Sequence, residues 1–339
     1  MSEDTTASSV SDGPPPAHRA PVLLWSVIAG AIYGIACQFF LRTRTIWDET
    51  EMVFLVMSFA YVFVLPLCLG IATILYSGSD RVSWPQMVFA PWLTVIACFG
   101  TAMVVGWEGS ICIAMAAPIY LPLASIGGVA AGILQRHRKS LHAVLLLPLA
   151  LAPLEEATWD LPDDRRQVET FIEIDAPPER VWPEIVRVRP IHEPQSGFFY
   201  RMGFPKPVEA TLSHEGVGGV REAKFERGLV FYETITEWVP QRRLRFDIKA
   251  DPNATPLTTL DPHVVPGGLF FDALEGVYEI VPLADGRARL ELTSTYRLST
   301  HFNFYSGLWG DYLMRDIQEN ILRVLRTRCE VEPAPAGPS

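Results

Sequence analysis

Residues 22–154 of this chain carry six Lys/Arg and five Asp/Glu in 133 positions, whereas residues 155–339 carry 21 and 30. An ordinary soluble domain is about a quarter charged, so the first stretch is not one. Four runs within it, 22–41, 52–76, 87–107 and 111–134, contain no charged residue at all. Each reaches the roughly 20 apolar residues that cross a bilayer. Backbone groups in lipid must be satisfied within the segment, so such runs fold as helices. A single globular fold, a coiled coil and a mostly disordered chain are thereby excluded. The chain divides into a polar tail (1–20), a membrane helical domain (21–154), a charged linker (155–167), a water-soluble domain (168–329) and a second tail (330–339).

Pro66, Pro91, Pro118 and Pro122 are expected to kink the spans. Trp25, Trp47, Trp84, Trp92 and Trp107 lie near several span ends, where an interfacial belt places them. No charge sits mid-span, and Asp48, Glu49, Glu51 and Glu108 fall at the ends, which favours an anchor or scaffold over a transport path. Arg19, Arg81, Arg136, Arg138 and Lys139 would share one side, against Arg42 and Arg44 on the other. The positive-inside rule puts the first side, with the N-terminus, in the cytoplasm. The run 141–154 is a helix of about 21 Å, short of the roughly 30 Å core. Basic residues precede it and Glu155-Glu156 follow it. We read it as a fifth span, which makes the protein an inner-membrane one with an extracytoplasmic soluble domain; as an interfacial segment it would leave four spans and a cytoplasmic domain.

Four of the five cysteines lie in the apolar runs and none has C-x-x-C spacing, so neither a zinc ribbon nor an iron–sulfur cluster is implied. His192, His214 and His263 lack metal-ligand spacing as well. No metal or cofactor is expected. The second half has nine more acidic than basic side chains, which makes nucleic acid an unnatural partner.

Period-2 alternation dominates the soluble half. A first strand at 168–174 is followed by a short helix starting in Asp175-Ala176-Pro177-Pro178-Glu179 and closed by Pro190 and Pro194. Strand candidates follow at 209–214, 220–227, 229–239, 243–250, 270–281 and 287–299, with Asp285-Gly286 as a hairpin signal. The chain then reads as one long amphipathic helix over 304–328, its apolar face including Tyr305, Trp309, Leu313 and Ile317. A sheet must bury one face, and only this helix is long enough to cover it. The gap between them is the default ligand site.

The segment VETFIEIDAPPERVWPEIV (168–186) and the terminal LSTHFNFYSGLWGDYLMRDIQENILRVLRTR (298–328) resemble the START/polyketide-cyclase-like helix-grip superfamily, SRPBCC. The resemblance covers roughly residues 167–329 and not the membrane half. It implies a curved antiparallel sheet of seven strands around the C-terminal helix, with an internal cavity for a lipid, sterol, polyketide or other apolar molecule. The superfamily has no universal catalytic motif, so no catalytic residue is carried over. The fold class expected is thus an α-helical membrane bundle of four to five spans followed by an α+β helix-grip domain.

Candidate cavity residues come from the pattern. A two-residue turn at Arg227-Gly228 sets Arg221 opposite Thr234 and points Arg221, Phe225, Tyr232 and Trp238 inward. A three-residue turn would instead put Glu233 beside Arg221, because one step of register flips the side chains. Glu275 and Tyr278 lie on a late strand opposite the helix, where a buried carboxylate could serve as acid or base. His301 precedes the helix as a cap or cavity-mouth residue, and Tyr305 and Trp309 lie on the helix itself. The long loop 251–268, with four prolines, is read as the cavity rim. The function expected is membrane-anchored binding or transport of a lipid or other apolar small molecule, with the bilayer as the other partner. A cyclase or dehydratase, and a structural or sensory module with a filled cavity, are the rivals. The sequence points to no protein partner.

Overall fold

Proline decides where the apolar runs become regular helices. In the computed structural model, which describes residues 19–43, 55–77, 82–136, 141–250 and 265–331, three helices are long and apolar enough to cross a membrane. They belong to α1 (Arg19–Thr43), α3 (Trp84–Val104) and α4 (Ser110–Arg136), with α2 (Leu65–Leu75) between the first two. The expected four to five spans are corrected to three on length and composition. The run 52–76 breaks into a 3₁₀ turn (Leu55–Met57), a π-helical turn (Ala60–Val64) and α2. The run 141–154 breaks into a 3₁₀ turn (His142–Leu146) and α5 (Leu147–Thr158). Pro66 and Pro148 sit at the first positions of α2 and α5. A proline there lacks the N–H that would continue the preceding turn, so each restarts the helix.

The short α2 is enclosed by the others: nine of its eleven residues are buried. Glycine permits this. A Cβ on Gly70 would lie 1.9 Å from the Ala124 carbonyl oxygen, and one on Gly127 2.0 Å from that of Leu67. The backbones of α2 and α4 therefore touch, as small residues allow between membrane helices. The five helices run in alternating directions. The end of α1 meets the α3–α4 turn through Arg42 and Glu108, at 3.2 Å. The end of α4 meets the end of α2 through Gln135 and the Ile74 carbonyl, at 3.3 Å. The last turn of α5 meets the start of the Ala60–Leu75 helix through Glu155. The soluble domain follows α5 at that end. Residues 1–18, 44–54, 78–81, 137–140, 251–264 and 332–339 lie outside the description. They include most of both tails, several charges used for orientation (Arg44, Arg81, Arg138, Lys139), and most of the loop read as a rim.

The soluble domain begins with β1 (Asp164–Ile174), inside the stretch read as linker. Then come α6 (Pro178–Val186), α7 (Phe198–Arg201), β2 (Pro207–Leu212), β3 (Val220–Phe225), β4 (Val230–Val239), β5 (Arg243–Ala250), β6 (Phe271–Pro282), β7 (Ala288–Leu298) and α8 (Asn303–Glu330). The seven strands form one antiparallel sheet in the order β1-β7-β6-β5-β4-β3-β2. This is a curled helix-grip architecture with α8 across the concave face. Strict alternation along β7 buries Leu290, Leu292, Tyr296 and Leu298 toward α8. The main core joins these strands to Ile185 of α6 and to Leu322, Leu325 and Cys329 of α8. A fully buried Leu contributes about 1.5–3 kcal/mol.

Two polar anchors hold α8. Near its start, Asp311 accepts from Arg166 at 3.2 and 2.6 Å and from the Tyr296 hydroxyl at 2.6 Å. Gly310 makes room, because a Cβ there would lie 2.7 Å from the Tyr296 oxygen. Near its end, Arg328 donates to Glu193 at 2.6 and 3.0 Å and to the carbonyls of Arg189 and Pro190 at 3.0 and 2.9 Å. These hydrogen bonds hold the Glu193 carboxyl at about 2, below its ordinary 4.5. A folded-state pKa below the unfolded one stabilises above the unfolded value and is lost as pH falls through the folded one. Stability from this anchor is therefore complete above about pH 4.5 and gone below about pH 2. Glu193→Gln is expected to lower stability at pH 7 by about 1 kcal/mol, given its partial exposure, and to flatten the acid loss across that window. Unfolding midpoints of both proteins against pH check this.

Candidate functional site

The hairpin of β3 and β4 sets the interior. Its turn is three residues, Glu226–Gly228, with Arg227 at φ 62° and Gly228 at φ 83°. Arg221 pairs with Glu233, and Val220 with Thr234. The two-residue register is thus corrected to the three-residue one, and the slip exchanges the faces of β4. Tyr232 points outward and is 44% exposed, while Phe231 and Glu233 turn inward beside Arg221, Ala223 and Phe225. Two bulges complete the correction. One between Ile235 and Glu237 returns Trp238 to the inner face opposite Leu244, where it packs on Trp182 of α6, at 5.1 Å and 84°, beyond the end of the cavity wall. One between Ala273 and Glu275 leaves Glu275 facing Arg245 at 3.6 Å, also off the wall. A bulge adds one residue to a strand and so reverses its alternation beyond that point.

Between sheet and α8, and on among the apolar helices of the first half, lies a cavity of about 320 Å³ in all. Phe246, Tyr278 and Leu292 form its sheet wall, and Leu313, Ile317 and Ile321 its helix wall. Its one buried charge pair is built by three elements. Arg221 Nε donates to Glu233 Oε2 at 2.5 Å, and Arg221 Nη1 donates to the Ile185 carbonyl at the end of α6. The guanidinium also lies over the rings of Phe246 and Tyr278, at 4.7 and 5.5 Å. The two side chains are only 4% and 9% exposed. Burial pushes the Glu233 carboxyl above its ordinary range, against the pull of Arg221. Burial raises the Tyr278 phenol as well. The result is a buried charge pair in a mainly apolar wall, to which Gln38, Glu108, Glu209, Lys224 and Gln318 also contribute polar side chains.

Gln318 was not among the expected residues. It sits on the buried face of α8, 2% exposed, donates to the Val168 carbonyl and to Ser294 Oγ at 3.1 and 2.9 Å, and accepts from Thr170 at 3.1 Å. The signal existed: a lone amide four residues from Met314 and three from Ile321 on an apolar stripe. His301 neither caps α8 nor lines the cavity. Its Nδ1 lies 2.7 Å from Glu155 Oε1, and Glu155 also accepts the backbone N–H groups of Phe59 and Ala60 at 2.5 and 3.0 Å. His301 therefore joins the domain to the membrane helices.

That junction is extensive. Tyr305 donates to the Met115 carbonyl at 2.6 Å, and Ser110 to the Met202 carbonyl at 2.8 Å. Ile111 of α4 is buried with Phe199, Tyr200 and Phe204, and Met115 and Trp309 pack on the same cluster. Gly197 allows the α7 loop to close on α8, since a Cβ there would lie 2.3 Å from Asp316 Oδ2. Of the residues expected at the site, Arg221, Phe225, Glu233, Tyr278, Tyr305 and Trp309 line the cavity, and Tyr232, Trp238, Glu275 and His301 do not. Among the described residues, no three His, Cys, Asp or Glu side chains cluster as metal ligands.

No family model matches the chain, and no curated protein matches it. Solved structures resemble about half of it. The ZhuI aromatase/cyclase from Streptomyces sp. R1128 is 15% identical over 51% of this chain and 99% of its own, with a TM-score of 0.34. The di-domain ARO/CYC BexL from the BE-7585A biosynthetic pathway is 12% identical over 61% of this chain and 62% of its own, with a TM-score of 0.32. Protein CV1439 from Chromobacterium violaceum is 16% identical over 49% of this chain and 98% of its own, with a TM-score of 0.31. The first two are aromatase/cyclase-type helix-grip folds on a curled antiparallel sheet.

Removing one partner of a buried ion pair strands the other charge. Glu233→Ala is therefore expected to destabilise the protein by about 3–5 kcal/mol. The double change Arg221→Met with Glu233→Leu is expected to recover most of that loss. Denaturant unfolding of the two variants separates the outcomes.

Proposed function

We propose that this chain is a membrane-held binding protein that carries or hands on an apolar, lipid-like small molecule in its helix-grip cavity. The observation that carries the reading is the hollow itself: a mainly apolar space of about 320 Å³ that lies between sheet and α8 and continues among the apolar helices, with the buried Arg221–Glu233 pair in its wall. Its size falls at the lower end of small-molecule sites, about 300–1,000 Å³, which argues against an interior filled by its own side chains. The apolar wall supplies affinity by excluding water, and the Arg221–Glu233 pair supplies a place for one polar group of the ligand. Membrane helices next to the site keep it at the source of such molecules.

A cyclase or dehydratase acting on a polyketide or isoprenoid is the second reading. What favours it is Glu233, a carboxyl in the cavity wall whose burial raises its pKa. A carboxyl so placed is the kind of group that passes a proton to a substrate. The 2.5 Å bond to Arg221 works against that role, because it favours the ionised form. We hold binding above catalysis on this ground.

For orientation we propose a cytoplasmic N-terminus and a soluble domain on the other side of the inner membrane. What supports the separation of the two ends is that the end of α1, the α3–α4 turn and the last turn of α5 lie together at the soluble domain's end of the bundle, away from the start of α1.

Full-length protein purified in nanodiscs should retain apolar molecules detectable by native mass spectrometry, and should bind a radiolabelled straight-chain fatty acid. Leu313→Trp, which fills the helix wall, is expected to weaken that binding at least tenfold with the fold intact. Retention of nothing apolar and no binding of the probe would remove the carrier reading. For sidedness, a C-terminal reporter that works only outside the cytoplasm should be active, and its silence beside an active cytoplasmic reporter would reverse the orientation.

A further inference from the structure

The cavity wall does not end at the soluble domain. Tyr61, Leu65 and Leu69 recur at every fourth residue along the Ala60–Leu75 helix, and Cys112, Ala116 and Tyr120 do so along α4. All six line the same cavity as Tyr278 and Leu313. Residues with this spacing share one face of a helix, and eight helical residues rise about 12 Å. α1 contributes Gly34 and Gln38 to the wall, and α3 contributes Cys98 and Phe99. The hollow therefore continues for about two turns between the membrane helices. Gly34 lets the side chains of Leu69 and Cys98 lie against α1 there, because a Cβ would lie 2.6 Å from Leu69 Cδ2 and 2.7 Å from Cys98 Sγ.

On the domain side the wall follows α8 from Tyr305 to Leu325, more than five turns. A volume of about 320 Å³ drawn out along both stretches is a narrow bore and not a bowl. Fused rings need width that such a bore lacks. A long alkyl chain needs little width, and its methylenes each gain about 0.8 kcal/mol on leaving water. The side chains of this bore are distinct from the lipid-facing surface of the bundle, where Phe89, Ile96 and Ile126 are more than half exposed.

We infer that the occupant is a single long alkyl chain that straddles the junction, one part between the membrane helices and the other against α8. The membrane bundle is then half of the binding site and not only its anchor. This rests on the apolar-ligand reading and adds to it the shape of the ligand and the part played by α1–α4. A free fatty acid and an acyl chain of a phospholipid share the chemistry, and the test separates them.

The full chain is placed in phosphatidylcholine nanodiscs with either a fatty acid or a phosphatidylcholine carrying a mid-chain diazirine, irradiated, and mapped by mass spectrometry. Adducts are expected on both walls, at Met115 or Tyr120 in α4 and at Tyr278 or Ile321 in the domain, and the probe that gives them names the source. Ala116→Trp, which narrows the bore at the junction, should cut the domain adducts at least fivefold, while Ile96→Trp on the lipid-facing surface should not. Should Ala116→Trp fail to fold, Cys112→Phe narrows the same place, and the adduct map of the unsubstituted chain decides in either case. Adducts on the domain wall alone, unchanged by the narrowing variants, overturn the straddling chain and leave the binding reading standing. Adducts on neither wall overturn both.

Discussion

The hollow depends on how α8 is held across the sheet. Asp311 ties one part of the helix to Arg166 and Tyr296, with Gly310 letting the strand hydroxyl come close. Arg328 ties the other end to Glu193 and to two backbone carbonyls. Between these anchors the helix presents Leu313, Ile317 and Ile321 to Phe246, Tyr278 and Leu292 across open space. Hydrophobic burial alone is non-directional and would close such a gap. Directional, charge-assisted bonds at both ends fix the distance instead. The cavity is in this sense a consequence of two ion pairs, the Gln318 amide bonded to β1 and β7 between them, and one missing Cβ.

The second constraint is the polar pair inside the wall. Desolvating two charges costs several kcal/mol per ion, which their attraction repays only with good geometry. Here Arg221 meets Glu233, a helix-end carbonyl and two aromatic faces at once. Such a pair is weak evidence for stability, since apolar residues of similar volume often serve a core as well. Its position in a cavity wall gives it a different use. It is the place where an otherwise apolar ligand could exchange a hydrogen bond.

How far the sequence made this legible varies from element to element. The long helix, the hairpin-linked strands and the contrast between an apolar first half and a charged second half follow from hydropathy period and charge density, which act along the chain and need no tertiary context. The lengths of the short membrane helices do not, because a helix enclosed by its neighbours, as α2 is at Gly70 and Ala124, need not match the bilayer. The face of β4 turned on one residue of the Glu226–Gly228 turn. Arg227 adopts φ 62°, a conformation few non-glycine residues take, so the local sequence favours the shorter turn that is not formed. A bulge after Ala273 carried Glu275 off the cavity wall, one after Ile235 turned Trp238 inward onto Trp182 beyond that wall, and no local pattern announces a bulge. Arg221, Glu233 and Tyr278 come together only through three strands and the end of α6. The Arg221–Glu233 pair was legible as the outcome of a three-residue turn, whereas the approach of Tyr278 and of the α6 carbonyl was not.

The account stands on a tube that is open when the protein is whole. A cryo-electron microscopy map of the full chain in lipid nanodiscs tests it most directly. Elongated non-protein density running from beside Tyr278 and Ile317 to beside Tyr120 is the predicted result. Side chains of α8 packed directly on Phe246 and Leu292, with no density between them, would contradict it.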